Sequence, residues 1–390
     1  MEIQKAQLRN VNQKKVLEQI FNHKMISRSQ IAKNLSLSKV TVSEIVARLM
    51  AQQYICELGK GVSSSKGGRK PTILQINANY GFVLSFDLEF DYIEGMLALV
   101  NGEQVNVIHQ KASTVSVFDR IAIIERIAEE LIAGVQTKAG LLGISIAVHG
   151  IVVNNKILYT PYINFKNIDL GGILTKKFMV PVILENEANL SAVYERDFQS
   201  RESIDNLVCV SIHKGIGAGI ILNNRLYTGI RGEAGEIGHA VVFESGEEHK
   251  SMRHSIEESC SEDAIVAKIS EAISVDKLTH AEIKELYDRN NQQVRKIMSD
   301  FCFYTASIIH NLIVSLDPKM VIINSNLISD IPQLLQEIKS NILYLTDEKT
   351  QIILSKNSRY SILLGGISVI IGSTLEINSG EISFMETEQG

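Results

Sequence analysis

The sequence predicts a small, basic, helical head followed by a larger α/β body in two lobes. Three observations carry this. The first is length: 390 residues is more than one domain and ample for a buried core. The second is charge. The whole chain has a formal charge of −5, yet residues 1–77 hold 13 Lys and Arg against 4 Asp and Glu, and the remainder holds 26 against 40. A basic head on an acidic body points to an anionic partner for the head alone. The third is periodicity: helical spacing dominates the first 53 residues, and apolar strand-like runs alternate with amphipathic helices after residue 81.

In the head, Val11, Val16, Leu17, Ile20 and Phe21 lie on one helical stripe. Ser27 caps a short helix with Ile31, Ala32 and Leu35 inward. A break at residues 36–38 follows, and Ser38 caps a second helix to about Gln53, with Val42, Ile45, Val46 and Leu49 inward. Two short helices across a tight turn form a helix-turn-helix. The second helix presents Ser38, Lys39, Thr41 and Ser43, side chains suited to base edges and phosphates in a major groove. Residues 54–58 and 72–76 read as two strands. The loop between them is glycine-rich and carries Lys66, Arg69 and Lys70. Strand, basic loop and strand make a wing whose cations meet phosphates or a narrow minor groove; a flexible charged linker is the plainer alternative. Residues 1–77 are thus predicted to be a winged helix-turn-helix.

The body, residues 78–390, begins with strands at 82–88 and 95–100. It continues with a helix at 119–137 and buried strands at 141–148 and 180–184, and a helix starts near Leu190. The second half repeats the style, with strands at 207–222, helices within 261–272 and 291–316, and a strand at 320–323. Lobe 1 is placed at about 78–190 plus the C-terminal helix, and lobe 2 at about 191–370. Polar residues at the carboxyl ends of such strands are where open α/β sheets bind ligands. Residues 214–219 read as a glycine turn between apolar runs, which suits close approach of a ligand to the backbone. Glu236 and His239, three residues apart in a glycine-rich loop, can grip a polyhydroxylated ligand: the carboxylate accepts and the imidazole donates or accepts. Glu233 caps a turn or pairs with Arg231 instead.

Four scattered cysteines, Cys56, Cys209, Cys260 and Cys302, form no CxxC pair, so neither a disulfide framework nor a zinc knuckle is expected. No apolar run is read as long enough to span a bilayer and no signal region is read at the N-terminus, so the chain is expected in the cytoplasm, away from membrane.

The stretch Glu185-Asn186-Glu187-Ala188-Asn189 resembles the catalytic-loop signature of the ROK family of repressors, open reading frames and sugar kinases. Gly215–Gly219, then Leu226-Tyr227-x-Gly229, then Gly235-Glu236-Ile237-Gly238-His239 resembles its central signature. The resemblance covers nearly the whole chain and implies a sugar-kinase-like (actin/hexokinase-type) body. It also implies a sugar site of Asn164, Asn186, Glu187, Glu236, His239 and Glu258. Family kinases use an Asp as general base where this chain has Glu187, one methylene longer; a misplacement near 1 Å can cost on the order of 100-fold in rate. Their glycine-rich phosphate loop is here Asp87-Leu88-Glu89-Phe90-Asp91-Tyr92, without glycine and with added negative charge. The family's zinc thiolates are also missing: residues 249–258 hold only His249 and His254, which with His239 make a poor zinc set. No catalytic residue, no cofactor and no metal are therefore expected.

Taken together, the resemblance implies a sugar-responsive repressor that binds operator DNA as a homodimer or higher homo-oligomer. A free sugar in the interlobe cleft, with xylose the leading candidate, would release it. The competing reading is an active ATP-dependent sugar kinase with an appended DNA-binding head.

Overall fold

The computed structural model describes residues 2–23, 25–60, 70–199, 204–244, 252–347 and 349–384. The chain divides into two compact units. The first comprises Met1–Glu187, Arg196–Arg201 and Leu363–Gly390; the second comprises Ala188–Glu195 and Glu202–Ile362. Residues 1–77 fall in the same unit as the α/β region that follows them, and the chain passes between units after residues 187, 195, 201 and 362.

Unit 1 opens with α1 (Glu2–Asn22), β1 (Ile26–Ser27), α2 (Arg28–Asn34), α3 (Lys39–Ala51), β2 (Ile55–Lys60) and β3 (Thr72–Ile76). Ser27 and Ser38 cap α2 and α3 as predicted: Gln30 N donates to Ser27 Oγ at 3.3 Å and Thr41 N to Ser38 Oγ at 3.0 Å. Between the helices Ser36 turns the chain in the left-handed region, φ 52°. Ile31, Val42, Ile45, Val46 and Leu49 pack inward with Val16, Leu17 and Ile20 of α1. Val11, expected on that stripe, is instead 48% exposed. The three strands pair in the order β1-β3-β2.

The first α/β region follows as β4 (Phe82–Leu88), β5 (Tyr92–Leu99), β6 (Gln104–Lys111), α4 (Val117–Ile132), β7 (Leu141–Val148), β8 (Ile151–Val153), β9 (Lys156–Tyr159), α5 (Leu170–Phe178) and β10 (Val182–Asn186). Its main sheet runs β10-β7-β4-β5-β6, with β4, β7 and β10 parallel. Every residue of β4 is buried because both faces are covered. Phe82, Leu84, Phe86 and Leu88 join a core with Ile124, Ile127 and Leu131 of α4. Towards the other face, a Cβ added to Gly366 would lie 2.2 Å from Ser85 Oγ, so the C-terminal helix presents a bare glycine there to the side chains of Ser85 and Ser145.

Helix α6 (Glu187–Gln199) starts at Glu187, three residues before the expected Leu190. Unit 2 continues with β11 (Leu207–Ile212), β12 (Ile216–Leu222), β13 (Arg225–Leu226), β14 (Val241–Glu244), β15 (Met252–Ser255), α7 (Ile256–Cys260), α8 (Glu262–Ala272), α9 (His280–Asp288) and α10 (Gln292–Leu316). Next come β16 (Met320–Asn324), α11 (Asn326–Asp330), α12 (Gln333–Ser340), β17 (Gln351–Leu354) and α13 (Ser361–Leu375), the last crossing into unit 1. The sheet order β13-β12-β11-β16-β17 repeats that of unit 1: a central strand, two antiparallel neighbours on one side, two parallel on the other. The glycine run 215–219 is mostly strand rather than turn, since Gly217 and Gly219 lie within β12. A Cβ on Gly219 would sit 2.2 Å from Ala188 O, so glycine there serves helix–strand packing. One expectation fails by its own measure: α10 is long and apolar enough to cross a membrane. Its stripe of Val294, Met298, Phe301, Cys302, Ile309 and Leu312 packs into the core of unit 2.

Within unit 1, α1 is seated on the segment after α13. Lys14 Nζ lies 2.5 Å from Glu376, Asn22 Nδ2 donates to Glu381 O at 2.6 Å, and Ser383 N donates to Asn22 Oδ1 at 2.9 Å. Phe384 meets Phe21 edge-on and stacks on Phe198, with centroids 5.2 and 4.2 Å away.

Candidate functional site

Parallel register places Leu88, Val148 and Asn186 side by side at the carboxyl ends of β4, β7 and β10. Residues that end or follow these strands therefore converge. His149 Nε2 lies 2.8 Å from Asp87 Oδ1, and Tyr92 OH donates to Asp87 Oδ2 at 3.1 Å. Burial alone would depress the His149 imidazolium. The Asp87 charge and hydrogen bond, with Glu187 and Glu89 beyond, outweigh it and raise the pKa to about 9. The same Asp87 charge, then burial, raises the Tyr92 phenol. Gly150, φ +156°, lets the chain pass within contact of Tyr159 O, where a Cβ would lie 2.1 Å away. Asn186 Nδ2 donates to Gly150 O at 3.0 Å, which ties β10 to the turn after His149.

The loop 89–91 is built inward. Arg120 of α4, 1% exposed, donates to the carbonyls of Glu89, Phe90 and Ala112. The Asp91 amide donates to Glu89 Oε2 at 2.9 Å. One buried guanidinium thus gathers the carbonyls of residues 89 and 90 and that of Ala112. Neither Arg120 nor His149 was singled out from sequence as a functional residue. The signal was a polar pair, His149-Gly150, at the end of a wholly apolar strand.

Of the predicted sugar residues, Asn186 and Glu187 lie in this cluster. Asn164 is exposed and its Oδ1 accepts from Lys166 N at 3.0 Å. The other three belong to unit 2. Glu236 and His239 bracket a short 3-10 helix rather than a loop, with Glu236 Oε2 3.8 Å from His239 Nε2. Gly235, φ +93°, is obligatory there: a Cβ would lie 1.8 Å from Ala218 O. Glu258 is exposed in the first turn of α7, and its amide is capped by Ser255 Oγ. Its neighbour Glu257, unassigned from sequence, is the carboxylate that turns inward. Glu257 Oε2 accepts from Ile216 N at 3.0 Å and lies near Gly238. Glu233 lies 3.6 Å from Arg231, as expected.

On the head, Ser38 and Thr41 hydroxyls bond each other at 2.8 Å, and Ser43 Oγ donates to Lys39 O. Lys39, Ser43 and Lys70 are exposed and Thr41 is half-buried. Val40, overlooked in the sequence, is 68% exposed on the same face. Lys66, Arg69 and His249 lie outside the described residues. Among the described residues no three His, Cys, Asp or Glu side chains converge as metal ligands. Cys209, Cys260 and Cys302 are buried in the core, so the thiolates of the family zinc site have no substitute in them.

The ROK family profile matches residues 85–367. The chain belongs to the ROK family. A curated ROK relative, the xylose repressor of Lactiplantibacillus pentosus, is 36% identical over 387 residues, covering 99% of this chain and 99% of the relative. The crystal structure of a ROK family transcriptional regulator, a homolog of the E. coli MLC protein, superposes with TM-score 0.77 at 22% identity. It covers 96% of this chain and 99% of the other. A ROK glucokinase from Streptomyces griseus, solved with glucose and AMPPNP, superposes with TM-score 0.65 at 18% identity, over 74% of this chain and 99% of the kinase. These two likenesses establish the sugar-kinase-like ROK fold of the body.

Proposed function

We propose that this chain is a sugar-responsive transcriptional repressor. The observation that carries the reading is 36% identity to a repressor along 99% of both chains, head included. The head is a winged helix-turn-helix. Its α3 enters the major groove with Ser38, Lys39, Thr41 and Ser43, and the exposed Val40 offers an apolar contact to a thymine methyl. Lys66, Arg69 and Lys70 serve the wing. Two chains bind a near-palindromic operator, one head per half-site. The effector is a free sugar, with xylose first on the name of the relatives. Asn164, Asn186, Glu187, Glu236, His239 and Glu258 bind its hydroxyls, joined by the inward Glu257. The chain acts in the cytoplasm and is not a kinase: Glu89 and Asp91 put negative charge where nucleotide phosphates would bring more.

Fluorescence anisotropy with labelled duplexes selected on the full chain tests this. D-xylose is expected to release the duplex and ATP to do nothing. Lys39→Ala should weaken binding several-fold and lower the salt slope by about one charge. DNA binding indifferent to every pentose and hexose, or transfer of the ATP γ-phosphate to sugar, would overturn the reading.

A further inference from the structure

We infer that His149 is a specificity-determining donor to a neutral polyol lodged against the aromatic wall of unit 1. The inference rests on the sugar-effector reading and adds a residue and a ligand class to it. His149 lines the mouth of a cavity of about 10 Å³, room for a single water, with Leu88, Phe90, Thr160, Tyr162 and Phe165, all in unit 1, so a larger ligand lies across that mouth and not inside it. Its Nε2 edge is committed to Asp87. Its side chain keeps 23% exposure. Among the described residues the Nδ1 edge makes no hydrogen bond. An imidazolium has two N–H donors, so one donor is spent on the protein and one is left for a ligand lying across the mouth of the cavity.

The surroundings select the ligand. Phe90 and Tyr162 stand 5.7 Å apart, centroid to centroid, and Ile163 and Phe165 are buried behind them. Such a wall takes an apolar face, and a few placed polar groups set its orientation. Thr160 Oγ1 already donates to Ile163 O, so it meets a ligand only as an acceptor. The charged groups facing His149 are Asp87 and, through it, Tyr92, then Glu187 and Glu89. The one nearby guanidinium, Arg120, is committed to backbone carbonyls. Three carboxylates against the His149 imidazolium and the Arg120 guanidinium still leave a net negative field, which repels a phosphate ester and tolerates a neutral hydroxyl or ring oxygen. A molecule with C–H faces, oxygens around its rim and no charge fits all of these demands.

Isothermal titration of the full chain tests this, with D-xylose, D-glucose and glucose 6-phosphate, at pH 7.5 and in a series from pH 7 to 10. Free sugar is expected to bind in preference to the phosphate ester. Its Kd should weaken as the pH passes about 9, where the imidazolium discharges. His149→Leu should weaken the preferred sugar at least tenfold and flatten its pH series. His149→Gln, which keeps a donor without the charge, should fall between. Equal affinity in His149→Leu and the parent, or preference for the phosphate ester, overturns the inference and leaves the repressor reading standing. A parent chain that binds no free sugar sinks both. If His149→Leu lacks the parent's circular dichroism, Tyr162→Ala decides, since that ring is 52% exposed and its loss spares the core. Unchanged affinity in Tyr162→Ala with a flat parental pH series also overturns it.

Discussion

Replacing Arg120 with leucine isolates the contribution of the rebuilt loop. The side chain is 1% exposed and serves three carbonyls, those of Glu89, Phe90 and Ala112. Each buried acceptor left without a donor costs about 1–3 kcal/mol, giving roughly 3–9 kcal/mol in all. Leucine also removes the cost of burying a cation, which offsets part of this, so the net loss is about 3–5 kcal/mol. At the usual 2–4 °C per kcal/mol for a unit of this size, unit 1 should melt roughly 10 °C lower. Arg120→Lys should lose somewhat less, because an ammonium can still reach part of the carbonyl set although it cannot span the whole fork of contacts. Differential scanning calorimetry reads the shift. Hydrogen exchange localises it: the Ala112 amide, which donates to Asp91 O at 2.7 Å, should lose protection first. A shift below 2 °C with Ala112 still protected would refute the claim that Arg120 organises the loop.

Two further outcomes follow from unit 2. Burial, against the opposing Ser355 hydrogen bond and Lys356 charge, raises the Glu195 carboxyl from 4.5 to about 7. Folding therefore favours its protonated form, and the ionised form is penalised above that range. Glu195→Gln should be more stable than the parent by up to about 3 kcal/mol at pH 8, the gap closing as pH falls towards 4.5. Urea midpoints at pH 5 and pH 8 test this, and a gap independent of pH would contradict it. Gly219→Ala should destabilise unit 2 by about 1–3 kcal/mol or more, because its methyl meets Ala188 O and the Ala192 Cβ, the latter at 2.5 Å. An unchanged thermal midpoint would show that α6 yields to the methyl without cost.

The elements with strong local signals were legible. Ser27 and Ser38 announce their helices because a hydroxyl before an apolar period has one good use. Buried strands such as β7 read as continuous apolar runs, and Asn186 at the end of β10 is picked out by the family signature, whereas His149 is not. Other parts were not legible because their cause is tertiary. Gly217 and Gly219 look like a turn in one dimension; the close approach of Ala188 O that demands Gly219 is visible only in three. The choice between adjacent carboxylates is of the same kind. Glu257 and Glu258 are chemically identical in sequence, and one helical step turns one towards Ile216 N and the other outward. Arg120 sits among the apolar positions of α4, where charge is read as an exposed interruption, and only the carbonyls of another segment explain its burial.

The seat of α1 sets an order of events in synthesis. Helix α1 leaves the ribosome well before Glu376, Glu381, Ser383 and Phe384, which hold Lys14, Phe21 and Asn22. Domains ordinarily mature from the N-terminus as the chain grows. Here helix α1 can fold early on α2 and α3 but waits for its anchorage until the segment after α13 has been made. A nascent chain arrested after the second sheet would therefore carry a formed head on a loose mount, and α1 is pinned only once Phe384 emerges.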